Sequence, residues 1–259
     1  MLYIHESNLL NKISSDYKGH GEKIKRFYEN KYLPVRAALE ALTFSETNTG
    51  DFKKAANIIN KYYKEIDSFS HKYSITSQSK FASTFLEEIS TYLFKDIPEI
   101  KSGEFGVFNK KVYAGLKIDK DKKIGIITKD VDFCIGKKVN ISIDGQVSTE
   151  LILPIVAVEV KTYLDATMFG EIKSSSKAIR SASPNSKTYV LMGYKCLADE
   201  HIIAARQDSV LTEMFSLRLH ESSPIEASVL YEYWSEITQV IKDVSKPNTV
   251  NSVGRLLKE

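Results

Sequence analysis

The stretch PIVAVEVKTYLD, residues 154–165, concentrates groups able to do chemistry. Read as a β-strand, it sends Val156, Val158 and Val160 into one core layer and Ile155, Ala157, Glu159 and Lys161 to the opposite face. Glu159 and Lys161 then leave the sheet side by side at the end of an otherwise buried strand, where an unpaired charge is costly. Upstream, KDVDFCIG turns Val131, Phe133 and Ile135 inward and Asp132 and Cys134 outward. If the two strands are neighbours, Asp132 comes close to Glu159. Adjacent carboxylates repel, and one pKa rises unless a divalent cation neutralises them. Hard oxygen donors favour Mg²⁺ over zinc or copper. Asp130 shares the parity of Asp132 and competes as first ligand, but it lies further from the apolar stretch.

The elements that position these residues follow from periodicity. Helical spacing predicts helices over 34–42 (PVRAALEAL, with Pro34 in the first turn), 51–69 and about 79–94. In the last of these, Phe81, Phe85, Ile89, Tyr92 and Leu93 form one face; Glu87 points almost directly away from it, and Glu88 lies at its border. From about 104 to 161 the period changes to two and β-branched residues dominate, with Asp144-Gly145 placed as a hairpin turn. A helix over about 167–182 and a buried strand at 188–194 follow. Ser223-Pro224-Ile225-Glu226 reads as a capping box that opens a helix burying Ile225, Val229, Tyr233, Ile237 and Val240.

An Asp, a Glu-x-Lys on a following strand and an upstream helix with a border Glu together resemble the PD-(D/E)xK nuclease family. The matching pieces are Asp132, Glu159, Lys161 and Glu88, over roughly 79–194 in the order αβββαβ. VDFCI around Asp132 is similar to the family's usual PDFxI, with Val131 in place of proline. The resemblance implies an α/β fold, a central mixed sheet flanked by helices. The nuclease core would run over 76–198, with helical additions over 1–75, for recognition or dimerisation, and over 199–259, in one compact domain overall. EVKTYLDATMFGEIKSSSKAIRSASPNS is similar to the stretch after the catalytic strand in type II restriction endonucleases of the BbvCI kind, which work as two non-identical subunits. No recognition sequence follows from so short a stretch.

What the resemblance implies chemically is Mg²⁺-dependent hydrolysis of double-stranded DNA at a specific sequence, leaving 5′-phosphate and 3′-hydroxyl ends. Asp132 and Glu159, with Glu88, would hold metal, and Lys161 would orient the attacking water and stabilise developing charge. A homodimer, or a heterodimer with a related subunit, is expected. Lys173, Lys177 and Arg180 share one face of the following helix and suit contacts to phosphates. A repair or recombination nuclease, or a non-catalytic DNA-binding subunit that keeps the fold, are the competing readings.

Composition narrows the field. With 42% hydrophobic and 27% charged residues, the 259-residue chain is in the globular range, not the disordered one. The apolar stretch Leu151 to Val158 is far short of a membrane span. The N-terminus lacks the pattern of a signal peptide, and two cysteines, both read as buried free thiols, fit a reducing, cytoplasmic setting. A net charge of +3 names no partner. Zinc-type His/Cys spacing, GxxxxGK and GxSxG are absent, which argues against zinc enzymes, P-loop ATPases and serine hydrolases.

Overall fold

Among the described residues, apolar residues at helical spacing build five helices of seven residues or more before the first strand: α1 (Ile4–Ser14), α2 (Gly21–Phe27), α3 (Leu33–Glu40), α4 (Gly50–Lys72) and α5 (Ser83–Phe94). In this computed structural model, residues 2–142 and 148–245 are described. A π-helical turn, Tyr28–Tyr32, joins α2 to α3, and Pro34 lies in the first turn of α3, where its missing N–H costs nothing. Helix α4 buries Phe52, Ala55, Ala56, Ile59, Tyr62, Tyr63 and Ile66, the stripe its spacing predicts. A single turn, α6 (Pro98–Lys101), leads into the sheet.

The sheet holds β1 (Gly106–Ile118), β2 (Ile124–Ile141), β3 (Thr149–Leu164), β4 (Lys187–Lys195) and β5 (Glu213–Ser216), in that spatial order. The first three strands are antiparallel, while β3, β4 and β5 run parallel. The parallel step from β3 to β4 needs a crossover, and α7 (Ala166–Ala182) supplies it, capped by the Asp165 side chain, which accepts the Met168 N–H. Asp144-Gly145 lies outside the described residues.

Alternation on the strands sorts two layers. Val156, Val158 and Val160 join Phe133, Ile135, Tyr189 and Leu191 in one core that continues through α5, the N-terminal helices and α9 (Ala227–Ser245). The opposite face packs Cys134, Ala157 and Val112 against Ile179 of α7, with Val190 and Met192 against Phe169 and Ile172. The structure thus has the mixed sheet, flanking helices and terminal helical regions that the sequence predicts.

Three expectations need correction. Val131 packs with Cys134 and not with Phe133, because β2 carries a bulge between them. The C-terminal region, with α8 (Asp199–Asp208) and α9, also contributes edge strand β5. Helix α9 starts at Ala227, not at the capping box. Asn60 Oδ1 accepts the Ile225 N–H at 2.7 Å and the Leu217 carbonyl accepts the Glu226 N–H at 2.8 Å, so tertiary contacts claim the backbone that a first turn would use. Cys134 is buried, but Cys196 is exposed; both are free thiols.

Candidate active site

The bulge places Asp132. Phe108 faces Cys134 and Lys110 faces Val131, so a single β1 residue spans both Asp132 and Phe133. Such an insertion bends the strand and re-aims a side chain. The β2–β3 ladder ends at Phe133 and Val158. Beyond it the Asp132 carboxylate replaces a main-chain acceptor, with Oδ2 taking the Val160 N–H at 2.7 Å. Asp132 is thereby held against the segment of β3 that carries Glu159 and Lys161.

Lys161 ties the group together. Its Nζ donates to Glu159 Oε2 at 3.2 Å and to Asp132 Oδ2 at 3.3 Å. β3 is central, paired on both sides, with Glu159 opposite Val190 and Lys161 opposite Met192 on β4. The carboxylates are consequently recessed: the Glu159 side chain is 16% exposed and that of Asp132 28%. Burial, then the Asp132 charge, push Glu159 up to about 7 against the pull of Lys161. For Lys161 burial disfavours the ammonium, but the Asp132 and Glu159 charges outweigh it and the pKa rises.

The structure sends the two adjacent carboxylates of α5, Glu87 and Glu88, to different surroundings. Glu88 is fully buried on the side of α5 that meets the N-terminal helices. Its carboxylate accepts from Tyr32 Oη at 2.8 Å, Tyr92 Oη at 2.5 Å, and the backbone N–H groups of His5 and Glu6. Glu88 thus spends its carboxylate on four donors within the core and makes no hydrogen bond to Asp132, Glu159 or Lys161 among the described residues. Glu87 faces the site. Burial and then the Asp132 charge raise it to about 7, with Lys80 and Lys161 opposing. Its helical angle, opposite the apolar face, was the available signal, but a helical wheel does not say what lies on that side.

Glu87, Asp132 and Asp130 share a cleft of about 970 Å³ with Ile4, Lys80 and Thr84. Asp130 is exposed and makes no contact with Lys161 or Glu159, whereas Asp132 touches Lys161 directly. Of the basic stripe, Lys177 is exposed, Lys173 is paired with Asp208, and Arg180 donates to the Ser209 and Val210 carbonyls. The segment from α8 onward therefore engages two of the three.

Among the described residues no three His, Cys, Asp or Glu side chains form a complete ligand group. Mg²⁺ does not require one: it keeps several waters and takes one or two carboxylates plus substrate phosphate oxygens. Two recessed oxygen donors at Asp132 and Glu159, beside a Glu87 carboxyl raised by burial and by the Asp132 charge, fit a hard divalent cation.

A family model described as Bpu10I restriction endonuclease matches residues 78–222, which span α5 and all five strands. Among solved structures, one titled "native BbvCI A2B2 tetramer at low resolution" aligns with a TM-score of 0.76 at 16% identity, covering 93% of this chain and 98% of that one. At that identity the likeness is one of fold. No curated protein matches the chain.

Proposed function

Because the chain belongs to the Bpu10I restriction endonuclease family and is a site-specific type II restriction endonuclease, we propose that Asp132, Glu159 and Lys161 form its catalytic centre. We further propose that the centre is Mg²⁺-dependent and leaves 5′-phosphate and 3′-hydroxyl ends on double-stranded DNA. The observation that carries this reading is the single Lys161 ammonium hydrogen-bonded to carboxylates from two neighbouring strands, at 3.2 and 3.3 Å.

Asp132 and Glu159 would hold the cation, and Glu87 takes the supporting position that the sequence assigned to Glu88. Magnesium bound there supplies charge neutralisation at the scissile phosphate and a water of lowered pKa. Lys161 keeps its proton on Nζ, because both neighbouring carboxylates favour the charged form. From that position it donates to the attacking oxygen or to a non-bridging phosphate oxygen, stabilising charge as it develops. The Val160 N–H fixes Asp132 Oδ2 and leaves Oδ1 for the cation. No side chain in this arrangement needs to form a covalent bond to the substrate.

We place the nuclease core over 76–198; the family match covers 78–222 and also takes in α8 and β5. We assign dimerisation to the helical regions over 1–75 and 199–259, and phosphate contacts to Lys177, with Lys173 and Arg180 available if α8 shifts. The similar BbvCI structure contains two kinds of subunit, and that supports action of this chain beside a related partner. The test is plasmid cleavage with and without Mg²⁺, with sequencing of the ends. Discrete metal-dependent fragments are expected, and Glu159→Ala and Lys161→Ala should each lower the rate by roughly 10²-fold or more. Nicks in one strand alone would indicate the two-subunit arrangement. Cleavage that survives both substitutions would sink the proposed centre.

A further inference from the structure

The β1–β2 ribbon has one covered face and one bare face. Val112, Ala114, Val131 and Ile127 lie against α7. Residues directly opposite in an antiparallel pair share a face, so the register puts Lys111 with Asp130, Tyr113 with Thr128, Leu116 with Ile126 and Ile118 with Ile124 on the other side. Among the described residues nothing covers the outer part of that face: Ile118 is 75% exposed and Leu116 55%. Its inner part forms the wall of the cleft that holds Asp132, with Asn109, Lys111, Thr128 and Asp130 all lining it.

These four side chains make no hydrogen bond or ion pair among the described residues, although each can donate or accept. Together they offer an amide, an ammonium, a hydroxyl and a carboxylate on one face of two adjacent strands. These are the groups that pair with base edges: Asn with adenine, Lys with guanine, a carboxylate with the cytosine amino group, and Thr with several bases. Charge agrees with such a partner. Residues 106–130 contain seven lysines and three aspartates, an excess of four on a chain whose total is +3. A two-stranded ribbon also fits the width of the major groove.

We infer that the bare face of the β1–β2 ribbon is the base-reading surface of this enzyme, with Asn109, Lys111, Thr128 and Asp130 contacting base edges of the bound duplex. Thr128 lies four residues from Asp132, roughly 13 Å along the strand, which matches about four base pairs of duplex. The bases read by these residues therefore adjoin the cut. This assignment rests on the nuclease reading of the Asp132, Glu159 and Lys161 site, and it moves recognition from the terminal helices to the sheet.

The test selects from a pool of random 20-base-pair duplexes with the intact chain in buffer free of divalent cations and sequences what is retained. In parallel, the ends cut with Mg²⁺ are mapped. Wild-type protein should enrich one site. Asn109→Ala and Lys111→Ala should each relax preference at one or two positions within about four base pairs of the cut, reducing discrimination there roughly 5- to 150-fold. Lys129→Ala, at a position paired with Val112 on the covered face, should leave preference unchanged. If the variants enrich and cut the wild-type site with undiminished discrimination, the ribbon does not read bases, while the nuclease centre stands. If they instead change the oligomeric mass by light scattering with preference intact, the face is a subunit contact and the inference is overturned. A wild-type chain that neither selects nor cuts DNA would remove the nuclease reading and this one with it.

Discussion

Glu87 and Glu88 are adjacent and of one chemical type, yet they have opposite surroundings. Glu87→Gln should lower cleavage by roughly 10²-fold in single-turnover assays while leaving the melting temperature nearly unchanged. Glu88→Gln should do the reverse. It places an amide donor against four existing donors, and urea titration should show a loss of about 1–3 kcal/mol, with the folded fraction still active. A pH effect arises next to it. His5 is fully buried, its ring bonded to Thr84 Oγ1 at 2.9 Å and Tyr62 Oη at 2.8 Å, and burial lowers its pKa to about 3. The unfolded chain, with His near 6.5, takes up the proton first on acidification. Stability is therefore complete above about pH 6.5 and is lost as pH falls towards about 3, at up to about 1.4 kcal/mol per pH unit. Comparing wild type with His5→Gln across this range should isolate the histidine, because carboxylates that titrate in both proteins cancel in the difference.

At the level of elements, close backbone approaches fix the strand that carries Glu159 and Lys161. A Cβ at Gly193 of β4 would stand 2.3 Å from the Thr162 carbonyl oxygen, next in sequence to Lys161. Backbone cannot yield as a flexible side chain does. Gly193→Ala should therefore cost about 1–3 kcal/mol, and it should also lower kcat by displacing the end of β3. Gly170, on α7, would meet nothing within 4 Å on gaining a Cβ, and Gly170→Ala should leave activity at the wild-type level. The bulge at Asp132 and Phe133 acts in the same way: it ends the β2–β3 ladder where a carboxylate, not a carbonyl, must face Val160.

For the whole molecule, one continuous core joins the N-terminal helices, the sheet and α9. Phe94 is at a junction, packed on Phe133 of β2 at 5.7 Å and Tyr233 of α9 at 5.3 Å between ring centroids. Phe94→Ala should lose about 3–5 kcal/mol, and far- and near-ultraviolet circular dichroism should follow one coincident transition, since this core runs through the helices and the sheet together. Much of this architecture was legible in the residues. The switch from helical to twofold periodicity marks where helices give way to strands, and the parity of 154–161 puts Glu159 and Lys161 on one side of a buried strand. Local spacing determines those features because it reflects which face of each element must leave water. Tertiary structure alone decided the rest. Glu87 or Glu88, Val131 inward or outward, the start of α9, and which face of the ribbon stays bare all depend on what packs against an element, and a periodic pattern carries no record of its neighbour.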